Sequence, residues 1–196
     1  MDAVETRAGL PILTFADGAA MEAWLERDGA GTPGFWLRLF RKGSGVASVT
    51  KAEAVDAALC FGWIDGLMNP YDEMSWLIRF TKRRPKSKWS VVNRERCEAL
   101  IEAGRMRPAG LAEVEAAKAD GRWAAAYPPQ SLAEVPADLQ AALDASPKAA
   151  AFFATLKGAN RYALIYRVLD AKRPETRAKR VAEFVAMLER GETLHG

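Results

Sequence analysis

Few side chains in this sequence are suited to transferring a proton or attacking a carbon. The one histidine, His195, is the penultimate residue. Chain ends fray, so an imidazole base, a Ser-His-Asp triad and a multi-histidine metal site are all close to excluded. Cys60 and Cys97 stand far apart with no CxxC spacing, which argues against zinc and for two small buried hydrophobes. Asp65, Glu73, Lys86, Ser87 and Ser90 complete the candidates. Cys60 would need a cationic neighbour to become a thiolate, and its local sequence supplies none. Ser87 and Ser90 suit helix N-caps. Asp65, before Gly66, suits a turn, with a functional alternative in which it anchors Arg79 or Arg83. An enzyme built on this chain would therefore use Cys60 or Asp65 without imidazole. There is no GxxxxGK[ST] or strand-bound GxGxxG, and Gly43-Ser44-Gly45 is too short to cradle a phosphate. No cofactor and no metal are expected.

Charge is more informative. The net charge is only +3, yet residues 79–96 hold Arg79, Lys82, Arg83, Arg84, Lys86, Lys88, Arg94 and Arg96 against Glu95 alone. Such a run is tolerated where water, salt or an anion screens it. Trp76, Phe80 and Trp89 lie within or beside it, and arginine both stacks on aromatics and grips a carboxylate or phosphate with two parallel hydrogen bonds. Three readings compete: a solvated loop, a surface for a small anionic ligand or acidic protein partner, and a nucleic-acid surface. The last is disfavoured by the modest overall charge and the lack of a reader motif. The expected anion site is Trp63, Asp65, Arg79, Arg83, Arg84, Lys86 and Trp89, converging on one hollow. A second basic run, Lys172, Arg173, Arg177, Lys179 and Arg180, opposes the dipole at the start of the last helix.

The elements that must position these residues follow from hydrophobic periodicity. Phe15-Ala16 is expected as a short strand, followed by a helix from Gly18 to Arg27 capped by Asp17. Phe35–Arg41 alternates as a strand. Thr50-Lys51-Ala52-Glu53 is a capping box for a helix ending near Gly62. Trp63-Ile64-Asp65-Gly66 reads as a strand entering a tight turn, Asn69-Pro70 as a second turn, and Met74–Thr81 as a strand. From Trp89 the period becomes helical, to a stop at Gly104. Helices are then expected over Leu111–Ala119, Ala137–Ala145, Lys148–Leu156, Asn160–Ala171 and Glu175–Arg190.

The chain has 196 residues, 49% hydrophobic and 27% charged, with 6 Trp, 8 Phe and 4 Tyr. That is enough to bury a core without disulfides or metal. The fold class expected is α+β: a small N-terminal part (residues 1–104) with a few short strands packed on helices, then an all-helical part (residues 105–196), sharing its core or packing by itself. No apolar run of about 18 residues suggests a membrane span. The opening residues lack a secretory pattern, which reads as cytoplasmic, with reduced thiols.

Two long motifs add a resemblance. Cys60-Phe61-Gly62-Trp63-Ile64-Asp65-Gly66 and Arg79-Phe80-Thr81-Lys82-Arg83-Arg84-Pro85-Lys86-Ser87-Lys88-Trp89-Ser90 resemble the YdeI/OmpD-associated, or bacteriocin-protection, family. So do Leu100–Met106, Pro108-Ala109-Gly110, Asp120-Gly121-Arg122-Trp123 and Ala171–Arg177. The resemblance runs from about residue 15 to 190. It implies protection against envelope-directed peptides and association with an outer-membrane porin, and brings no catalytic set. With the basic segment it leads to the expectation of a non-enzymatic protein that supports stress or antimicrobial-peptide resistance by binding. The chain departs from the family at Leu67-Met68-Asn69, where polar or basic residues are frequent, and at Lys82, where proline is frequent.

Overall fold

The structure is a computed structural model and describes residues 5–129 and 133–194. The chain divides into two compact units, Met1–Tyr127 and Pro128–Gly196. The fold is α+β. The division expected at residue 104 falls between two helices that both pack in the first unit.

The first unit is built on a five-stranded sheet in the order β1-β2-β3-β5-β4. Its strands are β1 (Thr6–Arg7), β2 (Leu10–Leu13), β3 (Gly34–Phe40), β4 (Trp63–Pro70) and β5 (Ser75–Lys82). β2 and β3 run parallel, joined through α1 (Gly18–Asp28), while β5 pairs antiparallel with both β3 and β4. Alternation along β3 puts Phe35, Leu37 and Leu39 into the core and leaves Trp36 and Arg38 on the opposite face. Along β5 the core residues are Ile78 and Phe80. α1 supplies Met21 and Leu25, and α2 (Lys51–Cys60) supplies Ala54, Val55, Ala58 and Leu59. Phe15, Trp24, Phe35, Trp63 and Phe80 form a continuous aromatic seam, with neighbouring rings 4.9–6.2 Å apart. This geometry adds to their burial.

α2 starts on the expected capping box: the Thr50 hydroxyl accepts from Glu53 N–H, and the Glu53 carboxylate accepts from Thr50 N–H at 2.8 Å. α3 (Val91–Glu102) starts at Ser90, whose hydroxyl accepts from Asn93 N–H at 3.1 Å. α4 (Pro108–Ala119) opens on a proline, where the missing N–H costs nothing. Gly110 lies where α4 crosses the end of α2. A β-carbon there would stand 2.3 Å from the Cys60 carbonyl oxygen and 2.7 Å from that of Leu59, so the crossing needs glycine.

Three expectations are corrected. Phe15-Ala16 is not a strand; the strand is β2, disguised by Pro11 within a four-residue segment. Asp65-Gly66 is not a tight turn, because β4 continues to Pro70 through an irregularity in register between Asp65 and Met68. A glycine inside a strand pattern also marks a bulge. The chain reverses instead after Pro70: Asp72 accepts from Met74 N–H at 2.9 Å and from the Ser75 hydroxyl at 2.7 Å. Finally, Trp89 precedes α3 rather than belonging to it.

In the second unit, α5 (Ala137–Asp144), α6 (Pro147–Thr155), α7 (Gly158–Asp170) and α8 (Pro174–Glu189) bury Leu139, Leu143, Phe153, Leu164, Ile165, Val168, Val181, Phe184 and Leu188. Arg177 in the second basic run is paired: its Nε and Nη2 donate to Asp138 at 2.5 and 2.8 Å. Among the described residues, no helix is long and apolar enough to cross a membrane.

Candidate functional site

The basic segment begins inside β5 and leaves the sheet at its end. Phe80 lies opposite Asp65 in the β4–β5 register, and Arg79 lies opposite Trp36 in the β3–β5 register. Since successive side chains alternate, Asp65 shares the helix-covered face with Phe80, and Arg79 projects from the other. Among the described residues Asp65 pairs with neither Arg79 nor Arg83. The expected cluster is thus divided by the sheet.

Past Lys82 the backbone is pinned by Arg83 N–H donating to the Gly62 carbonyl at 3.0 Å. A tight turn follows, in which Arg84 N–H donates to the Ser87 hydroxyl at 3.1 Å and Ser87 N–H to the Arg84 carbonyl at 2.9 Å. Lys86 takes a positive φ of 73° and is exposed. Arg122 Nη1 donates to the Ser87 carbonyl at 3.0 Å, while its Nε pairs with Asp120 at 2.7 Å. The turn therefore aims Lys86 at solvent and returns Trp89 to the core.

Two recesses result. The first, about 280 Å³, is lined by Ile64, Gly66, Leu67, Arg79, Thr81, Lys82, Arg84 and Ser87. Three of these are cations, two are hydroxyls, and no carboxylate is among them. Arg79 and Arg84 form no ion pair among the described residues. Lys82 donates from Nζ to the Ala30 carbonyl at 2.7 Å.

The second recess, about 490 Å³, is also bordered by Lys82. Its wall is apolar through Leu25, Phe61, Trp63, Pro108 and Ala109, and charged through Lys82, Arg83, Arg107, Glu26 and Glu113. Arg107 Nε stands 3.7 Å from Glu26. Arg83 is only 5% exposed. Its guanidinium carbon lies 3.5 Å from the centre of the Trp89 ring, and Trp89 packs edge-on against Trp123 at 4.8 Å. Nη1 donates to the Lys88 carbonyl at 3.3 Å, whereas Nε and Nη2 are buried with no partner. Burial pushes the Arg83 pKa down to about 10, partly offset by the charge of Glu113, so the group remains cationic at neutral pH.

Of the expected residues, the structure brings Trp63 and Arg83 to the larger recess, with Trp89 stacked behind Arg83. Arg79 and Arg84 go to the smaller one, and Lys86 and Asp65 line neither. Sequence reasoning missed Arg107 and Glu113, which reach the site from the α4 region. It also missed that Lys82 borders both recesses.

The thiols are poorly placed for nucleophilic work. Cys60 and Cys97 are both free and buried, and burial raises their pKa to about 11 and about 12. Among the described residues no cluster of His, Cys, Asp and Glu could hold a metal ion. His195 lies outside the described residues.

Comparison with known families matches residues 13–113 to a domain of unknown function, DUF8412, and residues 132–191 to the family described as Bacteriocin-protection, YdeI or OmpD-Associated. Both central motifs, and both recesses apart from their shared surroundings, fall within the first match. Ala171–Arg177 falls within the second. No curated protein and no solved structure matches the chain. The chain therefore belongs to the DUF8412 family through its first unit and carries a YdeI/OmpD-associated, bacteriocin-protection segment in its second.

Proposed function

We propose that this is a binding protein rather than an enzyme, and that its first unit captures a small phosphate-class anion in the Arg79–Lys82–Arg84 recess. The observation that supports this is the charge balance of that recess: three cations, none of them in an ion pair among the described residues, and no carboxylate in the lining. Arg79 and Arg84 donate charge-assisted hydrogen bonds to the anion, each contributing about 1.5–3 kcal/mol. Ser87 already accepts through its oxygen from Arg84 N–H, which leaves its O–H to donate. Thr81 supplies a second hydroxyl. The bacteriocin-protection description of the second segment is compatible with a role for such capture in stress or antimicrobial-peptide resistance, which forms part of this proposal.

Titration of the full chain with inorganic phosphate at two ionic strengths tests the reading. Saturable binding that weakens with salt and is lost in the Arg79→Gln/Arg84→Gln variant is expected. A flat titration, or full affinity in that variant, overturns it. A parallel titration with single- and double-stranded oligonucleotides reads the competing possibility: tight binding with a steep salt slope would make the basic segment a nucleic-acid surface instead.

A further inference from the structure

The larger recess calls for a different ligand. A guanidinium has three edges, and in Arg83 one of them is entirely unused. Nε and Nη2 are the two nitrogens whose N–H bonds run parallel along one side, the edge that meets a carboxylate with two hydrogen bonds. Both are buried without a partner, and the third nitrogen is held by the Lys88 carbonyl. Stacking on Trp89 at 3.5 Å fixes the plane in which a ligand must lie. A buried cation with no counter-charge in contact is costly, and a bound carboxylate would remove that cost.

The rest of the wall narrows the class. Glu26 and Glu113 share the recess with Lys82, Arg83 and Arg107, so the surplus is a single positive charge. That suits a monoanion and disfavours a phosphate dianion. Leu25, Phe61, Trp63, Pro108 and Ala109 offer an apolar surface for the remainder of the ligand. The volume of about 490 Å³ lies within the range of about 300–1,000 Å³ common to small-molecule sites. We propose that this recess is a second site, separate from the phosphate-class one, for a small organic acid: its carboxylate docks on the Nε–Nη2 edge of Arg83, and its apolar body lies against Trp63 and Phe61. Both nitrogens are shielded from solvent in this conformation, so on this proposal the wall opens as the carboxylate docks. Glu113 is a charged wall residue that a carboxylate repels.

The test uses the full chain, with benzoate as probe and benzamide as its neutral counterpart. It is read by the arginine Nε–H resonances and by tryptophan fluorescence. Benzoate is expected to bind saturably and to shift one Nε–H resonance that disappears in Arg83→Lys. Benzamide should bind at least roughly tenfold more weakly, since it cannot accept two charge-assisted hydrogen bonds. Arg83→Lys keeps the charge but loses the edge, and should likewise weaken benzoate by roughly tenfold. Glu113→Gln leaves Arg83 in place and should tighten benzoate. The Arg79→Gln/Arg84→Gln variant should bind benzoate as the wild type does, even where phosphate binding is lost. Absence of saturable binding, unaltered affinity in Arg83→Lys, weaker binding in Glu113→Gln, or loss of benzoate in the Arg79/Arg84 variant would each overturn the proposal.

Discussion

Replacing Arg83 with methionine should make the first unit more stable. Two buried donor nitrogens without acceptors cost about 1–3 kcal/mol each, and methionine removes both. The substitution forfeits the cation–π contact with Trp89, worth about 2 kcal/mol when desolvated. It also forfeits the hydrogen bond to Lys88, which at 3.3 Å sits at the weak end of charge-assisted bonds, about 1.5 kcal/mol. A thioether against Trp89 recovers about 0.3–1.5 kcal/mol. Near the middle of these ranges the balance is about 1–2 kcal/mol in favour of methionine, as when buried unpaired charges elsewhere give way to apolar side chains. All six tryptophans, at positions 24, 36, 63, 76, 89 and 123, lie in the first unit, so tryptophan fluorescence during urea unfolding reports on that unit alone. The midpoint should rise with an unchanged slope. The pH dependence has a fixed sign. Burial lowers the Arg83 pKa to about 10, so the penalty is present in full below that value and is relieved only as pH rises through it. The advantage of Arg83→Met should therefore be level between about pH 6 and about pH 8. A variant destabilised by more than about 1 kcal/mol would refute the reasoning, because it would mean the guanidinium is satisfied in the folded protein.

Other perturbations have definite outcomes. Gly110→Ala places a β-carbon 2.3 Å from the Cys60 carbonyl oxygen; overpacking of this kind costs about 1–3 kcal/mol, and an unshifted thermal midpoint would contradict the α2–α4 crossing. Cys60 and Cys97, buried and with pKa values raised to about 11 and about 12, should resist a thiol-specific disulfide reagent near neutral pH and react together once urea unfolds the unit; fast labelling of the native protein would contradict their burial. Asp138→Asn breaks the two-point pair with Arg177. Because Asp138 is 40% exposed, solvent screening limits the loss to about 0.2–1 kcal/mol. The Arg177 hydrogen bond holds the Asp138 pKa below the ordinary aspartate value, so the pair's contribution persists above the usual carboxylate range and is lost as pH falls through the lowered value. The difference between Asp138→Asn and wild type in a circular-dichroism melt should vanish in strong acid and be full at neutral pH.

The strongly periodic parts of this fold were legible because burial imposes the period. β3, β5, the capping box of α2 and the helices of the second unit follow from side chains that one face must hide. Weak places failed for local reasons. β2 has four residues with a proline among them, too few to show alternation. The Asp65-Gly66 pair signals a turn by its chemistry, yet the β4–β5 pairing absorbs it as an irregularity because Met68 and Asn69 resume the register opposite Ile78 and Leu77. The misplacement of Trp89 has another cause. Its spacing to Val92 is helical, but Ser90 caps the helix, and Trp89 is held by Arg83 and Trp123 instead.

The candidate site carries the sharper lesson, because the information that divided it was already in the sequence. Arg79 and Phe80 are neighbours in a strand, and once Phe80 is assigned to the core, Arg79 must leave by the other face. Alternation separates Arg79 from the core face within β5, and past Lys82 the turn sends Arg83 and Arg84 to different recesses. The excess charge of residues 79–96 is therefore a poor guide to local potential, since each recess draws its balance from elsewhere. Glu26 of α1 and Glu113 of α4 moderate one, while no carboxylate lines the other. Both acids come from helices whose own periodicity says nothing about Arg83. What makes Arg83 distinctive is likewise non-local: the loop that returns Trp89 to the core buries the guanidinium without bringing any carboxylate within ion-pairing distance among the described residues. A charge run shows where cations are available, and the packing around them decides which one is left with an unused edge.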